Sequence, residues 1–185
     1  MKKLTKILFI MLAGLIIFIF NACSSNQFIV KNNAVDIKIG IENFINRGGT
    51  TGIQIDVKNE CDIDNIKVIS YTVSNGQFGH AVMEKKSNDS YKIRTAEYGT
   101  NIIGHPILKT KNGKYLLAIG RKYNQDIEYV STEVDNRKYI FDVSGQSYFI
   151  QYYQVPKETA ANFSDRFILL DRYNKDITTQ VKSED

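Results

Sequence analysis

From Ile53 onward, turn clusters cut the chain into short segments rich in β-branched and aromatic residues. Asn75-Gly76, Asn112-Gly113 and Asp135-Asn136 are turn dipeptides, and Ser87-Asn88-Asp89 and Ser144-Gly145-Gln146 are further turn clusters. Such residues reach left-handed backbone or bond their own backbone, so they reverse the chain within a few residues. Parallel strands need a crossover of a dozen residues or more, which this spacing does not leave. The chain is therefore expected to fold mainly into antiparallel β-structure.

The segments follow in order. Ile53, Ile55 and Val57 alternate with Gln54, Asp56 and Lys58, which predicts a strand with one buried face. Asp62-Ile63-Asp64-Asn65 reads as a turn, Ile66–Ser74 and Phe78–Lys85 as the arms of a hairpin, and Tyr91–Ala96 as another strand. Past a boundary at Gly99–Gly104, Lys114–Gly120 is the most apolar segment and the expected central strand. Ile127–Val134, Arg137–Val143, Tyr148–Val155 and Phe167–Leu170 complete the set, with Pro156–Ser164 as a loop.

Val35–Arg47 fits two periods. Val35, Ile37, Ile39 and Ile41 alternate, while Ile37, Ile41, Phe44 and Ile45 recur at helical spacing. Asn33 can cap a helix and Gly48-Gly49 can stop it, so a helix over about Asp36–Asn46 is favoured. The fold class is mainly β (α+β): one short N-terminal helix, an antiparallel meander, then a β-sandwich-like C-terminal module. The expected divisions are a signal segment 1–22, a polar tether 23–33, a helix plus meander 34–98, a β module 99–180 and a frayed tail 181–185.

The first residues speak to location. Lys2, Lys3 and Lys6 form a basic head, and Ile7–Phe20 is an unbroken run of 14 apolar or glycine residues. This run is short for a spanning helix, and Asn21-Ala22-Cys23 rather than a basic cluster follows it, so a signal peptide is favoured over an anchor helix. Phe20-Asn21-Ala22-Cys23 resembles the lipobox of bacterial lipoproteins. Ala22 and Cys23 match that pattern; Phe20 is bulkier and Asn21 more polar than its usual residues. The resemblance implies diacylglycerol on the Cys23 thiol, cleavage before Cys23, and a protein held at the extracytoplasmic face of the membrane. The abundance of Ile, Lys, Asn and Tyr suggests an A/T-rich genome, consistent with a low-GC Gram-positive source.

Charge is read best on the mature chain. The full sequence has 24 Lys plus Arg and 20 Asp plus Glu. Removing Lys2, Lys3 and Lys6 leaves 21 against 20, so the mature side chains nearly balance. A nucleic-acid face needs a strong basic excess, and nucleic acid is not an expected partner.

The stretch from Tyr115-Leu116-Leu117-Ala118-Ile119-Gly120 through Tyr148-Phe149-Ile150 to Leu169-Leu170-Asp171 resembles small Ig-like modules of Gram-positive lipoproteins. That resemblance implies no catalytic residues.

Catalytic patterns are sparse. His80 and His105 have no metal-ligand spacing to another His or Cys, and no metal or cofactor is expected. No nucleophile elbow, phosphate loop or dinucleotide fingerprint occurs. Cys61 has acidic neighbours, Glu60 and Asp62, which disfavour a thiolate. Tyr148, Tyr152 and Tyr153 are the candidate binding residues, either as sheet packing or as an aromatic patch for a glycan or an envelope protein. On a strand, Tyr148, Ile150 and Tyr152 share one face and Phe149, Gln151 and Tyr153 the other.

These readings favour a lipid-anchored, non-catalytic binding or accessory module. The alternatives are an exported hydrolase with a dispersed His/acid site, and an immunity or inhibitor-like lipoprotein. A deep pocket holding His80 or His105 beside a carboxylate would favour the hydrolase, and a flat aromatic face would favour binding.

Overall fold

The computed structural model describes residues 28–49, 52–86, 89–100 and 103–182. The expected signal segment, Cys23 and its neighbours Phe20, Asn21 and Ala22 lie outside the described residues. The fold is mainly β with antiparallel sheets and two helices. Twelve strands are described: β1 Ile29–Lys31, β2 Ile55–Ile63, β3 Ile66–Val73, β4 Phe78–Lys85, β5 Ser90–Gly99, β6 Ile103–Gly104, β7 Ile107–Lys109, β8 Lys114–Arg121, β9 Tyr129–Val134, β10 Arg137–Asp142, β11 Tyr148–Val155 and β12 Phe167–Leu170. The helices are α1 Ala34–Asn46 and α2 Thr178–Lys182.

The strands form three sheets. The first runs β1-β5-β4-β3-β2, the second β11-β8-β6 with β7 also on β8, and the third β10-β9-β12. Three apolar cores bind the layers. Ile37, Ile41 and Phe44 of α1 pack on Ile69, Tyr71 and Met83 of the first sheet. The opposite face of that sheet, with Ile66, Val68, Phe78 and Val82, packs on Leu117, Ile119 and Ile150 of the second. The second sheet then turns Leu116, Ala118 and Phe149 toward Val130, Phe141 and Leu169 of the third. The order is helix, sheet, sheet, sheet. Strands β3 and β8 sit between two cores, so both are buried along nearly their whole length rather than on alternate residues.

Local chemistry sets the elements. Asn33 caps α1 by accepting from the Asp36 backbone N–H at 2.9 Å. The helix ends as expected before Gly49, whose φ of 89° suits glycine. Asn46 and Glu42 clamp the chain entering β2: Ile53 N–H donates to Asn46 Oδ1 at 3.2 Å and Ile55 N–H to Glu42 Oε1 at 3.0 Å. Asp135 and Asn136 both take positive φ, 51° and 60°, as a two-residue primed turn requires.

Several details depart from the sequence reading. Val57 is 37% exposed, although alternation placed it with Ile55 on a buried face. It lies on an edge strand beside a bulge that shifts the register between Val57 and Asn59. The extra residue, Lys58, flips the parity: Ile55 faces α1, whereas Ile63 faces the second sheet. Ile63 ends β2 rather than joining a turn, and Asp64 alone takes φ 53°. β5 runs on to Gly99 because β4 offers partners as far as Phe78. Ile127 precedes β9 yet remains buried in the last core. α2 spans the expected limit at residue 180 between the β module and the frayed tail; Thr178 Oγ1 ties it to β12 by accepting from Leu169 N–H at 2.8 Å.

A polar clasp fixes the first sheet to the second. Thr110 Oγ1 donates to Asp64 Oδ2 at 2.6 Å and Asn112 Nδ2 donates to Asp64 Oδ1 at 3.0 Å. Lys111 N–H donates to Asn65 Oδ1 at 2.8 Å. The clasp joins the β2–β3 turn to the β7–β8 turn, and with the Leu117–Ile150 core it makes the seam between these sheets a defined surface.

Candidate functional site at the sheet seam

The site begins with a loop length. Ser74-Asn75-Gly76 closes the β3–β4 hairpin, with Val73 N–H donating to Gln77 O at 2.9 Å and Gly76 at φ 84°. This three-residue loop pairs Ser70 with His80, and the next pairing sets His80 opposite Glu97. Ser70, His80 and Glu97 therefore stand in one row on three adjacent strands, facing the seam. A two-residue loop would have shifted the register by one and turned His80 toward α1.

The row runs from interior to solvent. Ser70 is fully buried, and its Oγ has no hydrogen-bond partner among the described residues. His80 is nearly buried against Gly104, while the Glu97 carboxylate is exposed. His80 Nε2 lies 3.5 Å from Glu97 Oε1. A cleft of about 220 Å³ opens here, lined by Phe78, Gly79, His80, Glu97, Tyr98 and Ile103 among others. Burial pushes the His80 pKa below its ordinary 6.5, and the Glu97 charge opposes this without reversing it. The imidazole is thus neutral at pH 7 and able to accept or donate one proton.

Gly79 has a structural reason to be glycine. Tyr71 crosses it, and its hydroxyl donates to Glu97 O at 2.9 Å on the far strand. A Cβ on Gly79 would lie 2.5 Å from Tyr71 Cε2 and 2.6 Å from Glu97 O. Gly120 plays the same part opposite Phe149, whose ring covers it.

The aromatic strand divides between faces as the alternation indicates. Tyr148 joins the seam: it stacks on Phe78 at 6.3 Å, with Lys58 and Arg121 at 5.4 and 5.9 Å from its ring. Arg121 also lies over Tyr123 at 4.4 Å, and Tyr123 is exposed. Tyr152 is on the same face but farther along, edge-on to Tyr115 at 5.8 Å. Tyr153 is on the opposite face, against Phe141 and Tyr139, and donates to Ile140 O at 2.9 Å. Tyr148, Tyr152 and Tyr153 do not form one patch; Tyr148 with Phe78, Arg121 and Tyr123 does form a cationic aromatic cluster beside the cleft.

The other candidates resolve into structural roles. Ser164 Oγ lies 2.8 Å from His105 Nδ1 and 2.6 Å from Thr132 Oγ1, with Ser164 buried. These bonds stitch the loop before β12 to the chain entering β7, alongside the Pro106–Phe163 bridge. Burial also lowers the His105 pKa. Cys61 is half-buried with a raised pKa, first from burial and then from the Asp62 charge. Among the described residues no group of three His, Cys, Asp or Glu could hold a metal, and no helix is long and apolar enough to cross a membrane.

Nothing in the spacing of His80 and Glu97 along the chain announced their pairing; Asn75-Gly76 signals a hairpin, but the register that faces His80 with Glu97 shows only in the strand pairing. No sequence family, curated protein or solved structure matches the chain.

Proposed function

We propose that the protein is a lipid-anchored cell-envelope protein acting as a non-catalytic binding or accessory module. The observation that carries this reading is the N-terminal series of basic head, 14-residue apolar run and Ala22-Cys23. Two acyl chains on one cysteine anchor stably, because each buried CH₂ contributes about 0.8 kcal/mol. The partner is an envelope protein or a glycan. The seam cluster suits either, with half-buried Tyr148 and exposed Tyr123 flanking the Arg121 guanidinium and Phe78 backing Tyr148 from the core. Fractionation of cells making Cys23→Ser and Cys61→Ser variants tests the anchor. Cys61→Ser should partition with membranes like the parent. Cys23→Ser should accumulate as an uncleaved precursor or be released. Normal processing and acylation of Cys23→Ser would refute the reading.

The His80–Glu97 pair favours a second reading, an exported hydrolase. There the neutral imidazole is a general base with Glu97 orienting it. Ser70 Oγ is fully buried, so a water bound in the cleft is the nucleophile. Purified protein assayed on chromogenic esters, amides and glycosides should show a turnover that His80→Gln abolishes. Equal rates for parent and His80→Gln on every substrate would exclude that reading.

A further inference from the structure

α1 carries a second apolar stripe that its core face does not use. Val35 and Ile39, one turn apart, are 65% and 49% exposed, and Ile29 on the neighbouring edge strand is 44% exposed. Ile29 and Ile39 line a groove of about 320 Å³ between β1 and α1, with Phe28 and Gly40 in its wall and Lys31 and Asp36 at its rim. Lys38 stands on the same helix, about half exposed. Isolated exposed apolar side chains are ordinary, and this cluster is set apart by its place in the chain.

Phe28 is the fifth residue after Cys23. Five residues span at most about 18 Å when fully extended. An acylated Cys23 sits at the surface of the hydrocarbon core, and the headgroup layer outside it is roughly 5–8 Å deep. The first strand and α1 are thereby held within that reach of the headgroups, and their shared exposed surface is apolar, with Lys31 and Asp36 at the groove and Lys38 beside it, 3.9 Å from Glu42.

Resting on the lipid anchor proposed above, we propose that Ile29, Val35 and Ile39 form a membrane-contact surface that seats in the headgroup–acyl boundary of the bilayer. The partner is the phospholipid bilayer itself, with Lys31 and Lys38 reaching its anionic headgroups. The third sheet, separated from α1 by the other two sheets, then faces away from the membrane.

The chain contains no Trp, so one introduced Trp is a unique fluorophore. Ile39→Trp reports the proposed surface. Ile140→Trp is the control, an exposed site on the third sheet. Each protein is purified in lipidated form and reconstituted in phosphatidylcholine–phosphatidylglycerol vesicles, with and without brominated acyl chains. Bromolipid should lower Ile39→Trp emission on the order of twofold, with a blue shift, and leave Ile140→Trp nearly unchanged. Equal quenching of the two, with the diacyl adduct present by intact mass, overturns the contact surface and leaves the anchor standing. An intact mass lacking the adduct overturns both. A blue shift of Ile39→Trp without bromine quenching, accompanied by a doubled particle mass, assigns the face to a second copy of the chain and overturns the proposal.

Discussion

Replacing Gly79 by Ala should destabilise the protein through Tyr71 rather than through the backbone of β4. The new Cβ falls 2.5 Å from Tyr71 Cε2, 2.6 Å from Glu97 O and 2.8 Å from Tyr98 Cβ. Two of the three neighbours belong to β5, so the methyl cannot be relieved by one rotamer change. Overpacking of this kind costs roughly 1–3 kcal/mol. A shifted Tyr71 also loses its 2.9 Å bond to Glu97 O. That loss adds about 1–2 kcal/mol, because the hydroxyl is buried. Ala regains about 0.5–1 kcal/mol of backbone entropy over Gly, which leaves a net loss of about 1–4.5 kcal/mol. Guanidinium unfolding followed by circular dichroism measures it. Tyr71→Phe alone should cost about 1–2 kcal/mol. If the methyl acts by displacing the hydroxyl, the double variant costs less than the sum by about 1 kcal/mol. A neutral Gly79→Ala, or singles that add within about 0.3 kcal/mol, would refute the reasoning.

Leu117 is fully buried in the core shared by the first two sheets, so Leu117→Ala should cost about 2–5 kcal/mol and lower hydrogen-exchange protection in β3 and β11 together; loss confined to β11 would mean the sheets unfold independently. His80 and His105 have depressed pKa values in the folded chain, so the unfolded chain binds protons more readily as pH falls below 6.5. Stability should therefore fall from pH 7 toward pH 5, and His80→Gln should flatten the slope of denaturant midpoint against pH in that window. Asp64, whose hydrogen bonds from Thr110 and Asn112 lower its pKa, acts in a lower range: its contribution is full above about 3.8 and is lost as pH falls through its folded value. Thr110→Val should weaken that loss and leave the His-dependent slope intact. Cys61, with its raised pKa, should react with a thiol reagent at pH 7.5 more slowly folded than unfolded, read by mass increment over time.

Strand boundaries were most legible where turn chemistry and burial agree. Phe78–Lys85, Tyr148–Val155 and Phe167–Leu170 match the structure to the residue, because Gly76, Gly145 and the apolar ends fix both limits. The capped helix was readable from Asn33 and the Ile37–Ile41–Phe44 stripe, although Ile39 and Val35 also fit a strand. The bulge at Lys58 was not legible: alternation persists on both sides of it, and only the partner strand shows that the faces exchange. The site depended on a similar one-residue matter. Asn75-Gly76 signals a turn, but two-residue and three-residue loops place His80 on opposite faces, and the choice shows only in the Val73–Gln77 pairing. Tyr148 was correctly placed opposite in face to Tyr153, yet its partners Phe78, Lys58 and Arg121 come from three other strands whose packing no local pattern encodes.

The anchor at Cys23 is tested most directly by the intact mass of the protein extracted from the membrane fraction. The account predicts a chain that begins at Cys23 and carries a diacylglycerol adduct on it, with Cys61 as a free thiol. A lipid-free chain starting at Ser24 or Ser25 and recovered from the medium, or a full-length chain retaining Met1, would contradict it.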